Sequence, residues 1–156
     1  MEFYLENPKA TECFGRSLGS LLPTCGVLCL SGDLGTGKTT LTKGIAAALG
    51  VAPDEVLSPT FTLMNVYQSE GGELYHFDLY RLEDALELDD IGFDEYIYGD
   101  GISIVEWADL FPERLPKDAL YITLRQEGDG RKIVLTSTNP AWQQILKRLK
   151  DEYFRN

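Results

Sequence analysis

The segment Gly26-Val-Leu-Cys-Leu-Ser-Gly-Asp-Leu-Gly-Thr-Gly-Lys-Thr-Thr40 constrains this chain more than any other stretch. Residues 26–30 form a short continuous apolar run, the pattern of a strand buried on both faces. From Gly32 to Thr39 the sequence matches G-x-x-x-x-G-K-[ST] at every fixed position. Average residue usage would give that match by chance in about one chain in a few hundred of this length. A helical pattern follows over residues 38–49, closed by Gly50. Glycines at 32, 35 and 37 let the backbone take positive φ and come close to an anion. Successive N–H groups then converge at the positive end of a helix dipole. Lys38 supplies a mobile cation for β- and γ-phosphates, and the Thr39 hydroxyl is placed for Mg²⁺. Thr40, one step on, either meets the α-phosphate or is structural.

The rest of the chain reads as elements interleaved around that unit. Residues 3–5 suit a short edge strand. Asn7-Pro8 is an N-cap and first-turn pair for a helix over 9–22, which Pro23 stops. Residues 61–68 alternate and are rich in strand formers, 70–72 form a turn, and 73–78 return as a second strand. Short helices are expected over 82–88 and 93–98, and a buried strand over 102–105. A second hairpin spans 120–126 and 132–138 around Glu127-Gly-Asp-Gly130, and Asn139-Pro140 opens a last helix running through Leu149. Helices alternating with strands, plus two hairpins, predict an α/β domain of P-loop NTPase-like, three-layer architecture. Its mixed sheet has a parallel centre with antiparallel hairpin additions. At 156 residues the expectation is a single domain over 1–156.

A metal held beside phosphates needs an acidic partner. Glu106 ends the apolar run 102–105 and Asp78 ends 74–77. Glu106 follows the more strand-like run and is the favoured Mg²⁺-side carboxylate, leaving Asp78 to position water or an acceptor hydroxyl. Either residue can also be read as a surface acid at a strand end. The Asn-Lys-x-Asp run of guanine-specific proteins is absent, and Asp89-Asp-Ile-Gly92 is only a two-residue match to D-x-x-G, so ATP is the expected nucleotide. The only histidine, His76, and the three cysteines Cys13, Cys25 and Cys29 offer no metal-binding spacing. Cys29 belongs to the apolar run and reads as a packing residue. The net charge of −11, from 14 basic and 25 acidic side chains, argues against tight unaided binding of nucleic acid. The acidic crowd over 83–109 is either a solvated face or a docking surface. No apolar run approaches the ~20 residues of a membrane span. The acidic N-terminus does not open a signal peptide, so a cytoplasmic protein is expected.

Four runs together resemble one family. They are Gly32-Asp-Leu-Gly-Thr-Gly-Lys-Thr-Thr40, Ser58-Pro-Thr-Phe-Thr-Leu63, Tyr75-His-Phe-Asp-Leu-Tyr-Arg-Leu82 and Val105-Glu-Trp107. In order and spacing they are similar to the TsaE family of bacterial tRNA threonylcarbamoyladenosine biosynthesis. The resemblance implies an ATPase, slow alone, that works with TsaD and TsaB. Those partners hold the threonylcarbamoyl-adenylate chemistry and the tRNA, while ATP turnover here resets the complex. It also implies roles by position. Gly35, Thr36, Gly37, Lys38, Thr39 and Thr40 contact the phosphates, with Thr39 and Glu106 at Mg²⁺. Asp78 serves hydrolysis, residues 58–62 form a switch-like loop in which Thr60 senses the γ-phosphate, and Thr11 and Arg131 lie near the adenine and ribose. Trp107 is read as a packing aromatic or a partner contact, and His76 as a structural hydrogen-bonding residue. Two readings of other classes remain beside this one, a small-molecule kinase and a nucleotide-binding module without useful hydrolysis.

Overall fold

The computed structural model describes residues 1–155. Seven strands form one sheet: β1 (Glu2–Leu5), β2 (Gly26–Ser31), β3 (Met64–Ser69), β4 (Gly72–Asp78), β5 (Ile102–Glu106), β6 (Leu120–Glu127) and β7 (Gly130–Thr136). Their order is β1-β7-β6-β2-β5-β4-β3. The four central strands β6, β2, β5 and β4 run parallel. β3 and β7 are the antiparallel hairpin additions, and β1 closes the far edge against β7. The helices are α1 (Pro8–Gly19), α2 (Lys38–Ala48), the short α3 (Glu87–Asp90) and α4 (Phe93–Ile97), and α5 (Pro140–Arg155). No helix among the described residues is long and apolar enough to cross a membrane.

Period-2 alternation on fully covered strands divides the core in two. Leu28, Leu30, Ile102, Ile104 and Ile122 face one side, where they meet Phe14 of α1, Leu41 and Ile45 of α2, and Trp142 and Leu146 of α5. Val27, Cys29, Phe77 and Val105 face the other side, against Leu88, Phe93 and Ile97 of α3 and α4. The result is the expected three layers. Cys29 packs here as read from its run, and burial pushes its thiol up to about 12, so it stays a neutral apolar filler.

Several boundaries differ from the sequence expectation. The helix expected to reach residue 22 ends at Gly19, where the Leu21 and Leu22 N–H groups close shorter turns onto the carbonyls of Leu18 and Gly19. The helix expected over 82–88 is confined to Glu87–Asp90. The Glu87 carboxylate accepts from the Glu83 and Asp84 N–H groups, and Asp84 accepts from Leu86 N–H. Asp84 and Glu87 thus cap each other reciprocally, which starts the turn leading into α3 after residue 84 and leaves residues 82–84 outside it. The strand expected from residue 61 begins at Met64, because Leu63 N–H closes a turn onto Pro59 C=O and Leu63 takes φ +67°. The strand expected to reach Thr138 ends at Thr136, where the Ser137 and Thr138 hydroxyls turn to the carbonyls of Asp118 and Lys117. The last helix continues past Leu149 to Arg155, since Tyr153 packs edge-on against Phe3 and Phe14 at centroid distances of 5.0 and 5.7 Å.

The helix that carries Lys38 is held by a close backbone contact with α1. A Cβ on Gly44 would lie 2.2 Å from Glu12 O and 3.0 Å from Gly15 Cα. Gly44→Ala would gain about 1 kcal/mol of helix propensity. It would also force the two backbones apart, an overpacking cost of about 1–3 kcal/mol. The contact atoms are main chain and cannot turn aside, so the second effect is expected to win. A urea midpoint below wild type for Gly44→Ala, with Gly71→Ala unchanged as the control in open space, is the expected result.

Candidate functional site

The loop over 32–37 leaves the carboxyl end of β2 and turns directly into α2. Gly32 sits at φ +150°, and a Cβ there would be 2.5 Å from Leu124 O and 2.7 Å from Thr36 Oγ1. Gly37 is the N-cap of α2 at φ +103°. Thr36 braces the loop from inside, its hydroxyl donating to Asp33 C=O at 2.8 Å. The unpaired N–H groups of the first turn of α2 therefore face the loop's concavity, a site suited to an anion.

Lys38 is buried. Its ammonium donates to the carbonyls of Gly32 at 2.6 Å and Asp33 at 3.0 Å. It also lies 4.0 Å from the centre of the Trp107 ring. Burial lowers its pKa, while the charges of Glu106, Asp78, Asp109 and Asp33 act in the opposite sense. Trp107 reaches this position because its backbone is left-handed at φ +58°. Strained backbone of this kind concentrates at functional sites. Tyr80 covers the indole at a centroid distance of 4.7 Å.

The two candidate acids end adjacent parallel strands and stand side by side, Asp78 in register with Glu106. They have different partners. The Thr39 hydroxyl donates to Glu106 Oε1 at 3.0 Å, with Oε2 at 3.3 Å. Asp78 Oδ2 accepts from the Ser58 and Thr60 hydroxyls, both at 3.1 Å, and Oδ1 accepts from Tyr80 N–H at 2.9 Å. Both acids are 2% exposed, and they line a cavity of about 350 Å³. Gly35, Gly37, Lys38, Thr39, Thr40 and Thr60 line the same cavity. A smaller cavity of about 110 Å³ continues around the loop, sharing Gly35, Gly37 and Thr40 and adding Thr36, Thr11 and Arg131. Arg131 donates to Gly35 C=O at 3.1 Å.

The residues given a phosphate, metal, hydrolysis or nucleoside role in the sequence, Thr11, Gly35 to Thr40, Thr60, Asp78, Glu106 and Arg131, thus line two adjoining cavities. Sequence reading left three neighbours without a place. Trp107 had no link to Lys38, although its position directly after Glu106 was a signal. Tyr80, two residues past Asp78, was not singled out. His76, read as structural, is fully buried and hydrogen-bonds Glu106 directly through Nε2. Among the described residues no three His, Cys, Asp or Glu side chains converge on a possible metal position. The donor set offered is one hydroxyl and one carboxylate, which fits a Mg²⁺ that brings phosphate oxygens and water with it.

A glycine loop between a buried parallel strand and a helix, with acids at the ends of the neighbouring strands, defines an α/β protein of P-loop NTPase-like architecture. The family described as threonylcarbamoyl adenosine biosynthesis protein TsaE matches residues 5–133. The tRNA threonylcarbamoyladenosine biosynthesis protein TsaE of Bacillus subtilis is 41% identical over 144 residues, 92% of this chain and 89% of that protein. The protein of the same name from Synechocystis is 43% identical over 121 residues, covering 75% of this chain and 73% of its own length. A crystal structure of Bacillus subtilis YdiB superposes with a TM-score of 0.79 at 34% identity, over 97% of this chain and 95% of that one. The chain belongs to the TsaE family.

Lys38 is the cation of the larger cavity, and Lys38→Ala removes it without touching the core clusters. A hydrogen bond to a charged group contributes about 1.5–3 kcal/mol, so if the cavity takes a phosphate chain, its affinity for ATP as the probe is expected to fall by roughly tenfold to a hundredfold. Calorimetric titration paired with a thermal melt checks this: wild-type affinity in a folded variant would contradict the anion role.

Proposed function

We propose that this chain is a Mg²⁺-dependent ATPase serving formation of the threonylcarbamoyl group on adenosine of tRNAs. It acts as a single domain over 1–156 with the TsaD and TsaB proteins in the cytoplasm. The observation that carries the reading is the bond from Thr39 to Glu106, 3.0 Å long, on the floor of the cavity that Lys38 also lines. In this reading the N–H groups and side chains of Gly35, Thr36, Gly37, Lys38, Thr39 and Thr40 hold the phosphate chain, and Lys38 leaves its carbonyl partners to do so. Thr39 and Glu106 are the protein groups at Mg²⁺, which when bound neutralises charge on the β- and γ-phosphates. Asp78 positions the attacking water, and Thr60 turns from Asp78 to the γ-phosphate. Thr11 and Arg131 in the smaller cavity belong to the ribose and adenine end.

Two features support dependence on partners. No arginine lines the larger cavity, and Arg81 instead lies over the Phe61 ring at 4.8 Å. Phosphoryl-transfer sites without an arginine finger are slower by about 10³–10⁵. Leu34 and Tyr80, which line the larger cavity, are exposed, as are Leu57 and Phe61, the chain neighbours of Ser58 and Thr60 in its lining, with Phe61 at 82%. Apolar groups gathered at one place suit a protein contact. The net charge of −11 fits a protein that leaves tRNA to its partners. ATP turnover would then drive a conformational reset of the complex rather than modify a small substrate.

Glu106→Gln keeps shape and removes charge. It is expected to abolish Mg²⁺-dependent phosphate release while ATP affinity without metal persists. Loss of metal dependence in Asp78→Asn instead would exchange the roles of the two acids.

Hydrolysis by the isolated chain is expected to be slow and to rise at least tenfold with the TsaD–TsaB pair, followed as phosphate release at concentrations where the complex forms. Equal rates with and without the pair would remove the partner mechanism. Transfer of the γ-phosphate to a metabolite would indicate a kinase, and binding without release under any condition a non-hydrolysing module.

A further inference from the structure

Glu106 has a second attachment besides Thr39. Its Oε2 accepts from His76 Nε2, and the other ring nitrogen, Nδ1, lies 3.1 Å from the Tyr67 hydroxyl. The side chains come from three adjacent strands, β3, β4 and β5. His76 is in register with Ile104, which places Glu106 two residues along on the same face. Asn65, not Tyr67, is in register with His76, so Tyr67 also reaches it diagonally. His76 is fully buried and Tyr67 is 7% exposed.

One assignment of protons satisfies every group of the chain with a neutral imidazole. Leu57 C=O already receives the Asn65 side-chain N–H at 3.1 Å. The Tyr67 hydroxyl lies within reach of both that carbonyl, at 3.2 Å, and His76 Nδ1, at 3.1 Å, while its oxygen accepts from the N–H groups of Leu57 and Asn65, both at 3.3 Å. Giving the Tyr67 proton to Nδ1 leaves the carbonyl satisfied by Asn65. His76 in its Nε2–H form then donates to Glu106. Every atom is satisfied, and no buried side-chain nitrogen or oxygen among the described residues lacks a partner. The chain begins at Leu57, the residue before Ser58 and the loop that bonds Asp78. It ends at the carboxylate that receives Thr39.

We propose that His76, backed by Tyr67, is the positioning residue of Glu106 and ties the carboxylate to the base of the 58–62 loop. A glutamate has three rotatable bonds and does not hold one orientation by itself. The His76 N–H fixes Oε2, which leaves Oε1 with Thr39 facing the cavity. Partners of this kind orient metal-side carboxylates, and losing one weakens metal affinity about 10–100-fold. The inference rests on the proposed reading that Thr39 and Glu106 face Mg²⁺.

The test uses the full chain, β,γ-imido-ATP and Mg²⁺, with affinity measured by calorimetry first in EDTA and then across a Mg²⁺ titration. A second readout is Mn²⁺ binding to the same complex by electron paramagnetic resonance. His76→Leu is expected to leave the metal-free affinity for the analogue unchanged and to raise the Mg²⁺ concentration for half-maximal effect by about tenfold. His76→Gln, whose amide N–H reaches the Nε2 position, should restore most of the wild-type response. His76→Asn, whose amide reaches only the Nδ1 position, should not. This amide pair also decides the matter should His76→Leu fail to fold. Tyr67→Phe should shift the metal response in the same direction by a smaller factor. A folded His76→Leu or His76→Asn protein with wild-type metal dependence overturns the proposal and leaves the ATPase reading standing. A parallel fall in metal-free affinity also overturns it, because that marks general damage to the site. Absence of any Mg²⁺ effect in the wild-type protein brings down the reading and the proposal together.

Discussion

Thr39 and Glu106 meet at 3.0 Å only because β2 and β5 are parallel neighbours that end at the same level. Leu30 of β2 is in register with Glu106, so the glycine loop and the carboxylate emerge together from the sheet. β4 lies on the other side of β5 in the same sense and brings Asp78 to that level. Ligand sites of open α/β sheets lie at the carboxyl ends of the strands for this reason. The hairpin partners β3 and β7 serve the same end from the flanks. β3 carries Tyr67 to His76, and Arg131 at the start of β7 reaches Gly35.

Concentrating Lys38, His76, Asp78 and Glu106 in a buried pocket carries a desolvation cost that an apolar core would avoid. The structure offsets it by pairing each group. Lys38 has two carbonyls and an indole face, Asp78 has two hydroxyls and an N–H, and Glu106 has Thr39 and His76. The sites of pairing are also the sites of backbone strain. Trp107 and Leu63, the non-glycine residues with positive φ among those described, flank Glu106 and the 58–62 loop. The acidic stretch elsewhere is partly neutralised in place, with Arg114 holding Asp89 at 2.6 Å and Asp94 at 3.3 Å.

Local chemistry made much of this legible before any coordinates. The apolar runs at 26–30 and 102–105 marked the two central strands because strands covered on both faces admit few polar residues. The glycine loop and Glu106 could be paired because each directly follows such a run. Turn residues gave both hairpins, and the Asn7 and Asn139 caps gave α1 and α5. What was not legible depended on contacts between distant segments. The loop at 82–86 looks helical until Asp84 and Glu87 are seen to cap the chain at residue 84, so that the helical turn starts only after it. Residues 61–63 look like strand until Ser58 and Thr60 pull the preceding segment to Asp78. His76 was correctly read as hydrogen-bonded, but its partner lies thirty residues away and follows only from the β4–β5 register.

The resting arrangement also bears on why the proposed activity needs company. Lys38 and Asp78 are both engaged with neighbours of their own chain, one by loop carbonyls and the other by the hydroxyls of Ser58 and Thr60. For Lys38 a phosphate chain would supply a full opposite charge, which the two neutral carbonyls do not. Asp78 is different, because its hydroxyl donors sit on a segment whose apolar residues Leu57 and Phe61 are exposed. On the proposed reading a γ-phosphate would gain Thr60 only as Asp78 loses it, so the exchange would bring little net energy within the chain. A partner that buries Leu57 and Phe61 at about 25 cal/mol per Å² of apolar surface adds a term that favours one loop position over the other. On the proposed reading, partner binding and the catalytic arrangement of Asp78 are therefore linked through the same five residues, 58–62.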